Sequence, residues 1–417
     1  MAKGFAVKIK KSVSALIALV VTAGVVSGCN NAAAPEEVML SVWCAGEDIP
    51  MISRMIGEFK EMHKDEAIFS ITVSAEGEDT CKDTILSNPD VAADIFTFAA
   101  DQLNSLYDAG VLLQITEDAD RIIEENGSSS GAVMSALRDG NLYAYPATAS
   151  NGYFLYYNTE YLTEDDVKSF DRILEVAAEN GKKMTMDFSN GWYIYSFFKG
   201  AGLEVELSDD GKTNTCNWNS TSGNYTGVDV AQAMLDIACS DGFLAGGDDI
   251  LKQGAKDGSV IAGISGTWLS NDIKEAFGDG YAAAKLPEYT IKGDSVQMHS
   301  FAGYKFIGVN ADTKSPKWSQ LLAQWLTNEQ NQLTRFRERG EGPSNVNAAG
   351  TDEVKASIAI SALSDQSVYG HLQNVADTFW TPTYVFGTSI AAKNIDNVDL
   401  QVLLDTMVTG ITSDPKG

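Results

Sequence analysis

The chain has 417 residues, of which 44% are hydrophobic and 21% are charged, and its formal net charge is −27. This composition is typical of a globular protein with two or three cores, and it excludes disordered chains, fibrous chains and small disulfide scaffolds. The acidic surface repels phosphate backbones, so we expect no nucleic-acid partner. The three histidines, His63, His299 and His371, are far apart and lack metal-binding spacing, so we expect no transition-metal site and no cofactor; the sequence leaves a bound calcium ion open.

The N-terminal segment has the features of an export signal. Residues 1–11 carry four lysines and no acidic residue, and an apolar run follows over residues 13–26. That run is shorter than the about 20 apolar residues that a membrane-spanning helix needs. It ends in VSGC, which resembles a bacterial lipobox. We therefore expect residues 1–28 to be a lipoprotein signal peptide. We expect Cys29 to carry a lipid that anchors the protein to the extracytoplasmic face of the cell membrane, and residues 29–37 to be a flexible tether. An ordinary signal peptide with an incidental cysteine is the alternative.

Short β-rich runs alternate with helical stretches from residue 38 onward. In chain order, the pattern predicts a strand in VMLSVWCAG, a helix in PMISRMIGEFKEMHKD with Met51, Met55, Phe59 and Met62 on one face, a strand in IFSITVSAE, a helix around CKDTILSN, a strand in DIFTFAA, a helix from Asp101 to Ala109 that Gly110 ends, and a strand in VLLQIT. Such alternation builds a mostly parallel sheet with helices on both faces, so we predict an α/β fold.

The second half of the chain continues this alternation. Two extended runs flank a polar step from Thr148 to Gly152, which is a candidate hinge. Residues 205–226 are rich in turn formers, and Asp210-Gly211 fits a hairpin. Helices are predicted in VDVAQAMLDIACSDG and SPKWSQLLAQWLTNEQNQLTRFRERG, and Trp318 and Trp325 lie on the apolar stripe of the second, so we expect them in the core.

Four cysteines remain in the exported part if Cys29 carries a lipid. The local pairings are Cys44 with Cys81 and Cys216 with Cys239. The alternative is that they are buried free thiols, and the sequence leaves both possibilities open.

Five strings, in their order along the chain, resemble the extracellular solute-binding proteins of ABC sugar importers, the family that includes the maltose- and maltodextrin-binding proteins. The strings are ADIFTFAADQLNSLYDAGVLLQIT, NLYAYPATASNGYFLYYNTEYL, GISGTWLSND, FAGYKFIGVN and FWTPTYVFGT. The resemblance implies a two-lobed periplasmic-binding-protein-like fold of type II with mostly parallel sheets, flanking helices and a hinge. On this chain, lobe one would comprise residues 38–150 and 302–343, and lobe two residues 151–301 and 344–417.

Aromatic residues stand at the ends of predicted strands or in polar segments between elements. In open α/β sheets, ligands lie beyond the carboxyl ends of strands. Flat aromatic faces suit the apolar C–H face of a sugar ring, although core packing is the alternative for each residue. The candidates are Trp43, Phe98, Trp192 with the adjacent Tyr193, Trp268 and Trp380.

Polar side chains accompany these aromatics. Glu47 and Asp48 follow the first strand, Asp101 and Gln102 follow Phe98, and Asn151 lies at the candidate hinge. Such groups donate to and accept from sugar hydroxyls in the plane of the ring. A solvated surface charge is the alternative for each acid.

The family resemblance bears on some of these positions. It places sugar-stacking or hydrogen-bonding roles on Phe98, Asp101, Trp192, Trp268 and Trp380. Three positions of this chain depart from the maltose-binding pattern. Asn151 stands where that pattern has an acidic residue, Gln102 where it has a basic residue, and Phe98 where it has a tryptophan. The sugar and its chain length are therefore left open.

Together these features predict a monomeric substrate-binding lipoprotein that captures a neutral oligosaccharide, with a malto-oligosaccharide first, and delivers it to the permease of an ABC transporter. The chain lacks the GxSxG, P-loop and strand-linked GxGxxG fingerprints, and we expect no enzyme activity. An anionic ligand is disfavoured because the matched positions offer no arginine or lysine. A surface glycoside hydrolase, an adhesin, and a receptor for a peptide or polyamine are the alternatives.

Overall fold

The computed structural model describes residues 35–208 and 211–414. The predicted signal peptide, Cys29 and Asp210 of the predicted hairpin lie outside the described residues. None of the helices in the described part is both long enough and apolar enough to cross a membrane.

The strands of the described residues are β1 Glu36–Cys44, β2 Ala67–Ala75, β3 Ile95–Ala99, β4 Leu137–Arg138, β5 Asn141–Leu142, β6 Tyr145–Asn158, β7 Lys183–Met186, β8 Val205–Leu207, β9 Asn214–Cys216, β10 Phe243–Ala245, β11 Val260–Gly266, β12 Tyr281–Ala284, β13 Glu288–Ile291, β14 Asp294–Gln297, β15 Ser300–Val309 and β16 Gly370–Leu372.

The α-helices of the described residues are α1 Ile49–Met62, α2 Cys81–Ser87, α3 Leu103–Asp108, α4 Ala119–Glu125, α5 Gly131–Ala136, α6 Phe170–Glu179, α7 Gly191–Gly200, α8 Gly227–Cys239, α9 Asp248–Asp257, α10 Ser270–Phe277, α11 Pro316–Leu326, α12 Glu329–Arg339, α13 Val346–Ala349, α14 Asp352–Lys355, α15 Ile358–Gln366, α16 Trp380–Ala391 and α17 Leu400–Ile411.

The main sheet follows the order β10, β7, β11, β6, β15, β3, β1 and β2, with β12 beside β6 and β16 beside β15. Strands at both ends of this order run parallel, as in β10–β7–β11 and β3–β1–β2. The central pairs β11–β6, β6–β15 and β15–β3 are antiparallel. The sheet and its many helices confirm the predicted α/β class.

Buried apolar side chains form separate cores. The first lies between residues 38 and 147 and includes residues 306–326, and we call the elements around it lobe one. The second lies between residues 153 and 301 and includes residues 379–411. A third, smaller core packs on the other face of the sheet, since Tyr153 and Leu155 belong to the second core and the alternate residue Phe154 to the third. The elements around these two cores are lobe two.

Two long strands connect the lobes. In β6, Tyr145 pairs with Ile307 of β15, whereas Tyr153 pairs with Gly266 of β11, so one strand serves both lobes. The register of the β6–β15 pair shifts on both sides of Lys305. The sheet pairing is therefore irregular where these strands pass between the lobes.

The predicted hinge step, Thr148 to Gly152, is a continuous part of β6. A third connecting segment lies beside it, because the Ala149 N–H donates to the Gly342 carbonyl at 2.9 Å and Thr148 forms a bridge with Pro343. Three segments of chain thus pass side by side between the lobes.

Several predicted elements differ from the structure. Met62 is 53% exposed, so the apolar face of α1 ends one turn earlier than expected. VLLQIT forms no strand, because Leu112 and Ile115 each make only one isolated bridge. The long helix predicted over residues 315–340 is two helices, α11 and α12, since the Asn328 side chain accepts from the Asn331 N–H at 2.8 Å and caps the start of α12. The first strand starts at Glu36, two residues earlier than expected.

Trp318 lies in the core of lobe one, as predicted. Its side chain is 2% exposed and packs edge-on against Phe69, with ring centroids 4.9 Å apart. Its Nε1 donates to Glu36 at 2.9 Å, so the indole is buried with its polar atom satisfied.

The four cysteines of the described residues are free thiols. Cys44 and Cys81 are buried, Cys216 is half-buried and Cys239 is exposed. Burial raises the pKa of Cys44 and Cys216 to about 12. Of the two possibilities, the structure therefore agrees with free thiols, and the buried ones are in the protonated, unreactive thiol form.

Candidate functional site

A cleft of about 860 Å³ lies between the lobes, a volume that suits a small-molecule ligand. It brings together most of the residues that the sequence analysis selected. Those that line it are Glu47, Asp48, Asp101, Gln102, Asn151, Trp192, Tyr193, Trp268 and Trp380.

Two selected aromatics do not line the cleft. Phe98 is fully buried in lobe one, where it packs against Phe96 and Phe306. The expectation that Phe98 stacks on a ligand is therefore corrected: β3 is covered on both faces, and this side chain points into the core. Trp43 is half-buried against the same core and is not among the residues that line the cleft, so its ligand contact stays a prediction.

Tryptophans and tyrosines form the lobe-two wall of the cleft. Trp192 and Trp268 have ring centroids 5.8 Å apart and tilted by 35°. Tyr153 and Tyr193 both pack edgewise against Trp192, with ring centroids 4.6 and 5.3 Å from the centroid of Trp192. Both tyrosines are buried, so Trp192 and Trp268 present the accessible faces.

The Trp268 indole is held in one orientation. Its Nε1 donates to the Asp248 Oδ2 at 2.7 Å, and the Ser265 hydroxyl donates to the other oxygen of that carboxylate at 2.7 Å. A Cβ on Gly266 would lie only 2.0 Å from the ring, so the absence of a side chain there makes room for the indole. The Lys305 ammonium approaches to 5.6 Å from the ring centroid, a cation–π contact.

Trp380 stands on a separate element of the same lobe. It begins α16 and packs edgewise on Phe379, with ring centroids 5.0 Å apart. Because it is only partly buried and lines the cleft, it offers a further flat surface there.

Lobe one contributes carboxylates from the ends of its strands. Asp101 lies in the short 3-10 turn after β3, and burial raises its pKa to about 6 in spite of the nearby Lys82 and a hydrogen bond from Gln373. Glu47 occupies the corresponding turn after β1 and is exposed. Both acids line the cleft from lobe one, whereas the tryptophans line it from lobe two.

Asp48 and Gln102 line the cleft, but their polar atoms bond within the protein. The Gln102 Nε2 donates to the carbonyls of Glu78 and Asp79 at 2.7 and 2.9 Å. Asp48 is 1% exposed and accepts from Arg335 and Arg339 at 2.5 and 2.8 Å. Burial alone would raise its pKa, but the neighbouring cations keep the pKa of Asp48 below its ordinary value. Both residues support the floor of the cleft.

A buried charge network continues this floor. The Lys305 Nζ lies 2.6 Å from Glu341 and 3.3 Å from Glu78, and Arg335 lies 3.7 Å from Glu341. Although burial opposes it, the two glutamates raise the pKa of Lys305, so its ammonium stays charged. This network was not predicted from the sequence, in which the available signal was a lysine in the otherwise apolar strand FAGYKFIGVN.

The cleft is rich in carboxylates. Ten of its lining residues are Asp or Glu, and three, Lys82, Lys305 and Arg339, are basic. The positions matched by the family resemblance carry no arginine or lysine, and the three basic side chains come from other parts of the cleft lining. Each of the three nevertheless pairs with at least one carboxylate, so none presents an uncompensated positive charge. Among the described residues, no group of three or more His, Cys, Asp and Glu side chains is arranged to hold a metal ion.

A family model described as bacterial extracellular solute-binding protein matches residues 54–362. A galactooligosaccharide-binding protein of Bacillus subtilis (strain 168) is 27% identical over 307 residues, which cover 69% of this chain and 70% of the relative. A maltodextrin-binding protein of the same organism is 24% identical over 270 residues, which cover 62% of each chain. Both relatives are named as binding proteins, not enzymes.

Solved structures share the whole fold. One described as being with acarbose matches with a TM-score of 0.79 and 26% identity, covering 90% of this chain and 99% of the other. A Thermus thermophilus maltotriose-binding protein bound with maltotriose has a TM-score of 0.74 at 19% identity, covering 89% and 99%. A ligand-free maltodextrin-binding protein from L. casei BL23 has a TM-score of 0.72 at 24% identity, covering 90% and 99%. The two-lobed fold is thereby confirmed.

Proposed function

Because the chain belongs to the bacterial extracellular solute-binding protein family, we propose that it captures a neutral oligosaccharide in the cleft and presents it to the permease of an ABC transporter. The observation that carries this proposal is the pairing of accessible tryptophans on lobe two with carboxylates on lobe one. The names of the two relatives, which bind galactooligosaccharides and maltodextrins, support the ligand class. A malto-oligosaccharide is our first choice, because one of the two relatives is named as a maltodextrin-binding protein and a solved structure at 26% identity is described as being with acarbose.

We assign stacking to Trp192, Trp268 and Trp380. A pyranose ring presents an apolar C–H face to such surfaces and hydroxyls around its rim. Asp101 and Glu47 would accept hydrogen bonds from those hydroxyls, and a hydrogen bond to a charged acceptor contributes about 1.5–3 kcal/mol. Asn151, on the connecting strand β6, would supply an amide that both donates and accepts.

The charge of the cleft supports a neutral ligand over an anionic one. The three basic side chains are paired, and the lining is dominated by carboxylates. A uronic acid, a phosphorylated sugar or an acidic peptide would add like charge to this surface without gaining a bidentate cation. A polyamine is compatible with the charge but makes no use of three tryptophan faces.

Delivery of the ligand depends on closure of the two lobes and on a lipid anchor at the membrane. We place the boundaries at residues 38–150 and 302–343 for lobe one and 151–301 and 344–417 for lobe two, which agrees with the division of the buried cores. Ligand contacts from both lobes favour a closed arrangement, so binding would shift the lobes toward closure. A lipid on Cys29 would keep the loaded protein beside its permease.

Binding without catalysis is the activity of this family, and the glycoside hydrolase alternative has no support from the comparisons. The test is calorimetric titration of the chain from residue 30 onward with a panel of neutral oligosaccharides, a uronic-acid oligosaccharide and spermidine. We expect saturable binding of a neutral oligosaccharide that chromatography recovers intact. Binding of spermidine alone, or release of shorter sugars, would contradict the proposal.

A further inference from the structure

Side-chain contacts join the lobes in addition to the three connecting segments, and two of them lie beside Asp101 and Lys82 of the cleft. Lys82, in α2 of lobe one, forms an ion pair with Asp377 of lobe two. The Gln373 side chain of lobe two lies beside Asp101 of lobe one and lowers its pKa, against the larger effect of burial. Lys82, Asp101 and Gln373 all line the cleft, so these contacts lie on the side that opens to the ligand.

The Lys82–Asp377 pair lies at the rim of the cleft. The Lys82 side chain is 7% exposed, whereas the Asp377 side chain is 62% exposed. The lysine is therefore packed into lobe one, and the aspartate reaches over it from lobe two. If the lobes separate, Asp377 moves away with lobe two while Lys82 stays packed in lobe one. The ion pair between them is then broken.

Lys82 has a second partner that stays with it. The carboxylate of Asp83, on the same helix, lies 3.2 Å from the Lys82 Nζ and is 75% exposed at its side chain. When the lobes separate, the ammonium keeps this neighbour and also gains water. The large penalty for leaving a buried charge unpaired is thereby avoided, and the contact with Asp377 can form and break readily.

We propose that the Lys82–Asp377 ion pair is an interlobe latch that populates the closed arrangement before ligand arrives. This rests on the proposed function, in which the closed arrangement is the one that holds the sugar. A latch raises the apparent affinity because a larger fraction of the protein is already competent to bind. Its contribution is moderate, since one partner is largely exposed to solvent and to screening ions.

The test is small-angle X-ray scattering of the unliganded protein, with Asp377→Asn and the conservative Asp377→Glu. We expect the radius of gyration to increase in Asp377→Asn and in the wild type at high salt, and to remain small in Asp377→Glu. Lys82→Met should reproduce the effect from the other side of the pair. The matched control is Asp165→Asn, which removes an exposed ion pair on the surface of lobe two, where the Asp165 and Lys168 side chains lie 2.7 Å apart. The radius of gyration of this variant should equal that of the wild type.

An equal radius for wild type and Asp377→Asn at low salt would overturn the latch, as would a radius for Asp377→Glu as large as that of Asp377→Asn. Circular dichroism confirms that each variant is folded. In a parallel titration with the tightest neutral oligosaccharide, Asp377→Asn should bind roughly fivefold more weakly than wild type. The scattering result needs no sugar, so failure of the latch is distinct from failure of the proposed function, which would appear as no glycan binding by the wild type.

Discussion

Replacing Asp101 by Asn should make the protein more stable and a weaker binder. Burial raises the pKa of Asp101 to about 6, from an ordinary value of 3.8. Each unit of such a shift corresponds to about 1.4 kcal/mol, so the ionised carboxylate costs up to about 3 kcal/mol of unfolding free energy at pH 8. Asparagine has nearly the same shape and no charge, and it removes that cost.

The sign follows from proton binding. Because the folded pKa lies above the unfolded one, Asp101 contributes stability that is fully present below about pH 4 and is lost as the pH rises through about 6. The gain from Asp101→Asn should therefore be largest at pH 8 and should vanish near pH 4. Affinity should change the other way: loss of a charged acceptor should weaken sugar binding about tenfold at pH 8.

Asp166 provides a control of opposite sign. Hydrogen bonds from Thr163 and Arg172 lower its pKa to about 2, and it lies away from the cleft lining. Its carboxylate therefore contributes stability that is present above pH 4 and lost as the pH falls through about 2. Asp166→Asn should destabilise the protein at pH 8 and leave sugar affinity unchanged.

The assay is urea unfolding of both variants and the wild type at pH 4, 6 and 8, together with calorimetric titration at pH 8. A destabilised Asp101→Asn at pH 8, or a stability difference that is constant from pH 4 to pH 8, would refute the assignment of a raised pKa. Unchanged sugar affinity would instead remove Asp101 from the ligand contacts.

Further substitutions distinguish residues that contact the ligand from residues that stabilise the core. Trp268→Ala should reduce the free energy of sugar binding by about 2 kcal/mol with little change in urea unfolding, whereas Trp318→Ala should lower the unfolding free energy by about 3–5 kcal/mol and leave affinity intact; the reverse pattern would exchange these roles. Gly266→Ala should weaken binding in the same titration, because its Cβ would lie 2.0 Å from the Trp268 ring and displace it. A uronic-acid analogue should bind more weakly than the neutral sugar of equal length by about 1 kcal/mol or more at low salt, and equal affinities would contradict the charge argument.

The sequence predicted the cleft better where a strand end meets a turn than where a strand is buried on both faces. Trp268 and Phe98 both stand near the ends of strands, yet only Trp268 lies beyond its strand, in a 3-10 turn that faces the cleft. Phe98 is within β3, whose residues Ile95 to Phe98 are all buried. Because that strand shows no alternation of polar and apolar residues, its sequence does not indicate which side chain faces a neighbour and which faces a ligand.

The ion pairs in the floor of the cleft could not be predicted from the sequence, for a different reason. Its ion pairs join residues distant in the chain, such as Arg335 with Asp48, 287 positions apart, and Lys305 with Glu341, 36 positions apart. Local periodicity carries no information on such partners. The acidic composition also hides them, because a chain with 57 Asp and Glu residues offers many candidates for every cation.

The central claim is that a neutral oligosaccharide lies in the cleft between tryptophans of one lobe and carboxylates of the other. The most direct measurement is a crystal structure with the tightest sugar from the calorimetric panel. We expect sugar rings against Trp268 and at least one of Trp192 and Trp380, with hydroxyls donating to Asp101. A sugar bound outside this cleft, for example in the pocket of about 380 Å³ between α10 and α12, would contradict the account.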